Sequence, residues 1–296
     1  MRKTLTGLSF FDREFGGAYR GRVHLVTARE RGGKTVIGLQ FLKKGLELGE
    51  RGMMLSAEAA PDLAIHASSI DLNVDEATVA DNLLLFDYKD YIQGRDHEEN
   101  IVLPPEGFQQ LSRIIQEEAL SRVVLDTALP WINMGRKANM QEHVVSLVRA
   151  FERLGPTTLF TLPKPVSPAA QKLRKTIQAN VPVAMTIDYS PETGRRTWIL
   201  NKYLGSEKSE QSVDIEFRQG TGFAAARNKE AEQHRGEDLP DNTFSRFSRE
   251  HPVSTAKSSD DDGQSSSAPA PSPAEETKSV QKKNTDLSFS KIMLSQ

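Results

Sequence analysis

Short apolar runs alternate with stretches of helical spacing through the first 223 residues of this chain. Residues 23–27 form a short apolar run, and residues 35–48 then place apolar side chains at helical intervals. Further strands are predicted at 53–56, 83–86, 122–125, 157–162 and 181–189, and further helices after Pro61 and at 105–119, 140–154 and 168–179. Strands and helices that alternate in this way form a parallel sheet covered by helices on both faces.

Two more strand-like segments close this region, "RRTWILNKYLG" and "SVDIEFRQGTGF". Both are enriched in β-branched and aromatic residues, so we expect them to pair as an antiparallel hairpin. The predicted fold class is therefore α/β, with a mainly parallel sheet, flanking helices and a closing antiparallel hairpin.

The composition changes after residue 223. Residues 224–285 are rich in Ser, Pro, Glu, Asp and Lys, and such a segment cannot bury enough apolar surface to offset its ordering entropy. We expect a disordered linker there, between a folded domain at 1–223 and a short segment at 286–296, "DLSFSKIMLSQ". The apolar residues of that last segment fit a motif that docks on a protein partner or on the folded domain of the same chain, and an ordinary C-terminus is an equal alternative.

The overall composition excludes several classes of protein. The formal net charge is -2, so bulk electrostatics favours neither nucleic acid nor an anionic membrane. The chain has no cysteine, which excludes disulfides, thiolate metal sites and a cysteine nucleophile. Its apolar runs are much shorter than the about 20 residues that cross a bilayer. We expect a cytoplasmic protein without a membrane partner.

The first strand–helix junction has the pattern of a phosphate-binding loop. Ala28 stands at the first glycine position, and Gly32 and Gly33 let the backbone come close to a ligand. Backbone N–H groups at a helix N-terminus form an anion site, where Lys34 would reach the β- and γ-phosphates and Thr35 would ligate Mg²⁺. The pattern predicts a site for ATP and Mg²⁺.

The middle of this loop is unusual because residues 29–31 are Arg, Glu and Arg. Two arginines near a triphosphate would strengthen its binding, whereas Glu30 facing the phosphates would repel them. Only backbone atoms line such a loop, so we favour an arrangement in which these three side chains point to solvent.

Two carboxylates follow predicted strands. Asp126 comes directly after the apolar run 123–125, where a metal-side acid is expected, although an Asp before a helix can also be a cap. Glu58 follows the run 53–56, where a base that orients the attacking water would stand. From chemistry alone, a solvated loop glutamate explains Glu58 equally well.

The loop, Glu58 and Asp126 together resemble the RecA superfamily, most nearly the KaiC-like branch of P-loop ATPases. Proteins of that branch begin with a threonine–glycine pair and a double glycine before the first strand. The matching residues here are Thr6, Gly7, Asp12, Gly16, Gly17 and Gly21. The resemblance spans roughly residues 6–223, a single domain. It implies a RecA-like fold, bound ATP and Mg²⁺, and a homo-oligomer, such as a ring, that holds nucleotide between its subunits.

The resemblance also assigns roles at positions where this chain departs from the family pattern. Glu58 matches the first of two paired glutamates, and Ala59 replaces the second. Lys202 matches a lysine that reaches the γ-phosphate of the neighbouring subunit, whereas Leu204 replaces the arginine that does so. Because such an arginine accelerates hydrolysis about 10³–10⁵-fold, we expect slow or impaired turnover.

These features give three functional hypotheses. The first is an ATP-binding switch for assembly or signalling that hydrolyses ATP slowly. The second is a nucleotide-binding scaffold without turnover that recruits a partner through its C-terminal segment. The third is a recombination accessory factor that binds DNA through the basic residues Lys172, Arg174 and Lys175. We also expect His24, which lies in the first strand, to be packed or hydrogen-bonded.

Overall fold

The computed structural model describes residues 1–87, 105–128, 139–207 and 211–227. Met1–Arg227 forms one compact unit. Beyond residue 227, the predicted linker lies outside the described residues, as does the whole apolar segment 286–296.

Strands and helices alternate along this unit. The strands are β1 (Lys3–Thr4), β2 (Ala18–Tyr19), β3 (Val23–Ala28), β4 (Gly52–Ser56), β5 (Leu83–Asp87), β6 (Arg122–Asp126), β7 (Thr157–Pro163), β8 (Val183–Tyr189), β9 (Arg196–Tyr203), β10 (Ser212–Arg218) and β11 (Gly222–Ala225). The helices are α1 (Ser9–Phe15), α2 (Lys34–Glu47), α3 (Ala60–Ser68), α4 (Ala77–Ala80), α5 (Pro105–Glu117), α6 (Met140–Leu154) and α7 (Pro168–Asn180). The observed bounds of the other predicted strands and helices lie within two residues of the prediction, but the last predicted segment, residues 212–223, divides into two strands, β10 and β11, because Gly220 and Gly222 adopt positive φ at the turn between them.

Nine strands form one sheet in the order β11-β10-β9-β8-β3-β7-β6-β4-β5. The six strands from β8 to β5 in this order run parallel to their neighbours, and β9, β10 and β11 continue the sheet in antiparallel pairs. The predicted α/β class and its closing antiparallel hairpin are therefore confirmed. Because β3 lies between β7 and β8, the loop that follows it emerges near the middle of the sheet.

Strand β3 is buried along its whole length, and so is β4. A strand covered on both faces is apolar at consecutive positions, which explains why these runs do not alternate. His24 and Thr27 are the two polar residues of β3, and His24 is the titratable one. Its Nε2 lies 2.9 Å from the carbonyl oxygen of Tyr19, which confirms that it is hydrogen-bonded. Burial lowers the pKa of His24 to about 4.

The glycine-rich lead-in folds as a short helix, α1, which the sequence reading did not predict. The Asp12 carboxylate accepts hydrogen bonds from the backbone N–H of Thr6 (2.8 Å) and of Gly7 (2.9 Å), and from the Thr6 hydroxyl (2.8 Å). Three phenylalanines of α1 are buried in the core. Phe10 and Phe11 meet the ring of Trp198 edge-on. The lead-in therefore anchors the N-terminus against β9.

A buried arginine stabilises the end of the sheet that lies opposite to the glycine loop. Arg122, the first residue of β6, donates to Glu50 Oε2 (2.6 Å), to the Phe41 carbonyl (2.7 Å) and to the Thr4 hydroxyl (2.8 Å). Gly45 in α2 leaves room for it, because a Cβ there would lie 2.5 Å from Arg122 Cδ. Burial lowers the pKa of Arg122 to about 10, so the guanidinium remains charged near neutral pH.

Candidate nucleotide-binding site

The loop between β3 and α2 has the shape that close approach of a ligand requires. Gly33 adopts a φ of 94° immediately before α2, and no side chain caps the helix at this end. A Cβ on Gly32 would lie 2.9 Å from both the Ala28 Cβ and the Arg29 carbonyl oxygen, so a glycine is needed there. The N-terminal N–H groups of α2 therefore remain available to an anion.

The charged middle of the loop is exposed, as we expected. Arg29, Glu30 and Arg31 are all exposed, and Arg31 holds a φ of 59°, which is uncommon outside glycine. Lys34 Nζ lies 3.4 Å from the carbonyl oxygen of Arg29, so the lysine folds back over the loop. Two of these exposed residues, Glu30 and Arg31, border the cavity described next.

A cavity of about 800 Å³ opens over the loop, at the carboxyl ends of β4 and β6; we call it the site cavity. It brings together five residues that the sequence had singled out. They are Gly33, Lys34, Thr35, Glu58 and Asp126. A volume of this size suits a ligand as large as a nucleotide.

Asp126 is buried at the end of β6, and hydroxyl groups surround its carboxylate. Thr35 Oγ1 lies 2.8 Å from its Oδ2, and Thr161 Oγ1 donates to its Oδ1 at 2.9 Å. Ser56 Oγ, at the end of β4, lies 3.3 Å from Oδ2. Sequence reasoning missed Ser56 and Thr161. The signal was present, because both are polar residues near the carboxyl ends of strands that neighbour β6 or the glycine loop.

The residue after Asp126 has a strained backbone. Thr127 has a φ of 74°, a value that a β-branched residue rarely adopts. Its N–H donates to Thr161 Oγ1 at 2.9 Å, so one threonine side chain holds both the strained turn and the carboxylate. Backbone strain of this kind concentrates at functional sites.

Glu58 lies in the site cavity beside the same hydroxyl group. Its Oε1 is 3.2 Å from Thr35 Oγ1, and its Oε2 is 3.4 Å from Nε2 of His66 in α3. The Ser56 hydroxyl also accepts a hydrogen bond from the Glu58 backbone N–H at 3.1 Å. Ser56 therefore contacts both Asp126 and Glu58, and its hydrogen bond to the Glu58 N–H orients the backbone that follows β4.

Lys202 lies away from the site cavity of its own chain. Its Nζ donates to the carbonyls of Gln178 (3.0 Å) and Ala179 (2.8 Å) near the end of α7. Burial, reinforced by the charge of Arg22, lowers the pKa of Lys202. Leu204 is about half exposed. The structure thus places Lys202 as a helix-capping cation and does not test its contact with a second subunit.

The closing strands contribute residues that the sequence did not reveal as part of the site. Arg196 donates to the carbonyl of Arg31 (3.1 Å), and its guanidinium lies 4.6 Å from the centre of the Tyr189 ring. The Phe223 ring covers Gly33 so closely that a Cβ there would lie 2.4 Å from it. Strands β9 and β11 therefore contact and stabilise the loop, although they lie more than 150 residues after it in the sequence.

The basic run in α7 is divided between two surfaces. Lys172 and Lys175 line a shallow groove that also includes Gln141 of α6. Arg174 faces a different cavity, beside the glycine loop. These three cations therefore do not form one continuous strip, and DNA binding stays a prediction.

The donor set suits Mg²⁺ shared with a phosphate. The described residues contain no group of three or more His, Cys, Asp or Glu side chains that could hold a metal by themselves. One hydroxyl and one carboxylate, from Thr35 and Asp126, lie together instead. Mg²⁺ is typically held by one or two such groups together with waters and phosphate oxygens, so these residues fit the ion when nucleotide is present.

This fold and this site define a P-loop nucleotide-binding protein with a RecA-like sheet. The family model of the KaiC ATPase matches residues 4–223, and the chain belongs to that family. Family membership supports nucleotide binding and, with it, Mg²⁺ binding. In the part of the chain that the structure describes, no helix has the length and apolar character needed to span a membrane.

Two individual proteins are similar to this chain. The circadian clock protein KaiC2 of Synechocystis is 31% identical over 129 residues, which cover 42% of this chain and 22% of that relative. The match therefore spans about a fifth of the relative's length. A crystal structure of a KaiC-like protein from the archaeon Pyrococcus horikoshii has a TM-score of 0.59 at 18% identity. It covers 76% of this chain and 99% of its own, and it supports the fold alone.

Proposed function

We propose that this protein binds ATP with Mg²⁺ and acts as a nucleotide-dependent switch for assembly or signalling. The observation that carries the proposal is the position of the Thr35 hydroxyl, which lies within hydrogen-bond distance of both Asp126 and Glu58 at the start of α2. Lys34 and the N–H groups of the loop would bind the phosphates, and Thr35 and Asp126 would hold the ion. A bound Mg²⁺ would neutralise charge on the β- and γ-phosphates.

We expect hydrolysis to be slow. Glu58, which lies 3.2 Å from the Thr35 hydroxyl, would orient a water molecule near the phosphates, but Ala59 offers no second carboxylate. Leu204 supplies no charge where the family pattern has an arginine. Because that charge stabilises the transition state and contributes about 10³–10⁵-fold elsewhere, its loss reduces turnover more than binding.

The switch would act between subunits of a homo-oligomer, as the resemblance implies. Lys202 would approach the nucleotide of the neighbouring subunit, and to do so its Nζ must leave the carbonyls of Gln178 and Ala179. Nucleotide in the neighbouring site would compensate for the lost helix-capping contacts. This exchange of partners would make assembly depend on nucleotide.

Phosphate release at steady state tests the catalytic part of the proposal. The wild-type chain should release phosphate slowly and in proportion to its concentration, and Glu58→Gln should reduce the rate to background while ATP still binds. Glu117→Gln, on the surface helix α5, is the control and should leave the rate unchanged. If Glu58→Gln has the wild-type rate, Glu58 is not the base and the measured turnover has another source.

A scaffold without turnover is the second candidate function. It is favoured by the contacts of Lys202, which is engaged within its own chain, together with the leucine at position 204. The same measurement separates the two candidates, because a scaffold would bind ATP and release no phosphate above background.

A further inference from the structure

A second cavity lies beside the glycine loop. It has a volume of about 780 Å³ and opens between the β7–α7 connection and the end of β8. The charged middle of the loop, residues 29–31, lies along its edge. Arg31 and Glu30 border both this second cavity and the site cavity. The loop therefore has a cavity on each side, and the nucleotide hypothesis uses only one of them.

The floor of the second cavity is apolar. Leu162, Pro163 and Leu173 line it together with the ring of Tyr189. Val166 borders the cavity with 95% of its surface exposed. Three prolines, one of them Pro163, and the Tyr189 ring, one face of which meets the Arg196 guanidinium, give flat apolar surfaces that suit a planar ring.

The rim of the second cavity is cationic. Arg29, Arg31 and Arg174 make no ion pair with any residue that the structure describes, whereas Lys164 pairs with Asp188 at 2.8 Å. Glu30 is the one acidic residue in the lining.

Arg174 carries the clearest sign of a missing ligand. Its Nε is buried and has no hydrogen-bond acceptor among the described residues. A buried cationic N–H normally has a partner, because leaving it unpaired is costly. The Arg174 side chain lines the second cavity, and a rotation of its guanidinium would bring this N–H to an anionic oxygen bound there.

We propose that the second cavity binds a small organic anion with a flat apolar ring and one phosphate, sulfonate or carboxylate group. The ring would lie on the proline and tyrosine floor, and the anionic group would bind Arg174 and the loop arginines. Guanidinium groups suit this role because they form paired hydrogen bonds with such oxygens. The volume lies within the range of small-molecule sites, about 300–1,000 Å³.

The two cavities should influence each other through the loop. Arg31 borders both cavities, and its carbonyl is held by Arg196, which lines the site cavity. Two anions on opposite sides of the same arginines repel each other and compete for the same cations. We therefore expect each ligand to lower the binding affinity of the other by the same factor, about fivefold, as linkage requires. This coupling rests on the proposed nucleotide function, whereas the anion site itself does not.

The fluorescent probe 8-anilinonaphthalene-1-sulfonate has the required chemistry and tests the site on the full chain without nucleotide. We expect one probe per chain, displaced by 1-naphthyl phosphate and far less by inorganic phosphate. Arg174→Gln should lower the affinity for the probe about tenfold, because a hydrogen bond to a charged group is lost. Val166→Glu, at an almost fully exposed position, should weaken it by repulsion without a change in folding.

Lys172→Gln is the matched control, because Lys172 is a nearby cation of the same helix that lines a different groove. It should keep wild-type probe affinity. Equal affinity for wild type, Arg174→Gln and Val166→Glu would overturn the proposal. Displacement by inorganic phosphate as effective as by 1-naphthyl phosphate would also overturn it, because the ring would then contribute nothing.

Lys34→Ala distinguishes failure of this site from failure of the nucleotide hypothesis. It should keep the probe site and lose the effect of ATP on probe affinity. If the probe binds as predicted and ATP never changes its affinity, the coupling is wrong while the anion site stands. If probe binding is lost in Lys34→Ala, the probe occupies the site cavity and the second site is overturned.

Discussion

At the scale of single residues, the Asp126 carboxylate depends on neighbours that carry no motif. Thr161 donates to its Oδ1 and also accepts the N–H of the strained Thr127. We expect Thr161→Val to weaken Mg²⁺-dependent ATP binding about tenfold, since groups that orient a metal ligand contribute about 10–100-fold. Calorimetry with and without Mg²⁺ measures this, and the Mg²⁺-free affinity should change little.

Thr158→Val is the matched control for Thr161→Val. Thr158 is buried in the same strand, and its hydroxyl bonds to the nearby carbonyl of Pro156 instead of to the site. The Thr158→Val variant should bind ATP in the presence of Mg²⁺ with the affinity of the wild-type chain. If both variants lose the same affinity, the effect comes from disturbing β7 and the role assigned to Thr161 is wrong.

His24 makes the stability of the fold depend on pH. Its pKa is about 4 in the folded state because of burial, below the value of about 6.5 expected when the chain is unfolded. Between these two values the unfolded state binds more protons, so the free energy of unfolding falls as the pH is lowered from about 6.5 to about 4. From pH 7 to pH 5 we expect a loss of about 2 kcal/mol.

Urea denaturation of wild type and His24→Gln at both pH values measures this contribution. Between pH 7 and pH 5, the His24→Gln variant should lose about 2 kcal/mol less stability than the wild-type chain. His143→Gln, in α6, should retain the wild-type dependence. A His24→Gln variant as sensitive to pH as wild type would show that His24 does not carry the effect.

At the scale of elements, β11 is fastened to α2 by one buried side chain. Gln40 accepts a hydrogen bond from the Phe223 N–H (2.9 Å) and donates to the carbonyls of Phe223 (3.0 Å) and Gly7 (2.7 Å). Gln40→Leu leaves these backbone groups unsatisfied, so we expect a loss of about 3 kcal/mol of stability. It should also loosen Phe223 over Gly33 and weaken ATP binding.

Thermal or urea unfolding tests this role of Gln40. Gln109→Leu, at an exposed position of α5, should change stability by less than about 0.5 kcal/mol. Near-wild-type stability of Gln40→Leu would contradict the account of how β11 is held.

The elements that the sequence predicted well are those with local signals. Strand β3, the glycine loop and α2 follow directly from an apolar run, two glycines and helical spacing. Helix α1 was missed because it is seven residues long and packs three phenylalanines against β9, a contact that only the tertiary fold reveals. Short helices stabilised mainly by distant packing leave little local periodicity.

The candidate site also combines residues that have local sequence signals with residues that only the tertiary fold brings to it. Lys34, Thr35, Glu58 and Asp126 each follow a recognisable loop or strand, and the structure brings them to one cavity. Arg196 could not be placed from sequence, because its contact with the loop depends on how β9 pairs across the sheet. The helix-capping position of Lys202 likewise depends on packing between β9 and α7.

At the scale of the whole molecule, nucleotide should control assembly. Light scattering of the purified chain should show a larger mass with ATP and Mg²⁺ than without nucleotide. Lys202→Met should reduce this difference, whereas Lys172→Met should not. A chain that stays monomeric in both conditions would contradict the assembly part of the proposal.

Every function proposed for this protein requires the loop from Ala28 to Thr35 to receive a triphosphate. Isothermal titration of the full chain with ATP and Mg²⁺ tests it most directly, with Lys34→Ala measured alongside. We predict saturable heat at one ATP per chain for wild type and at least a tenfold loss of affinity for Lys34→Ala. The absence of heat for wild type, or equal affinity for both proteins, would contradict the account.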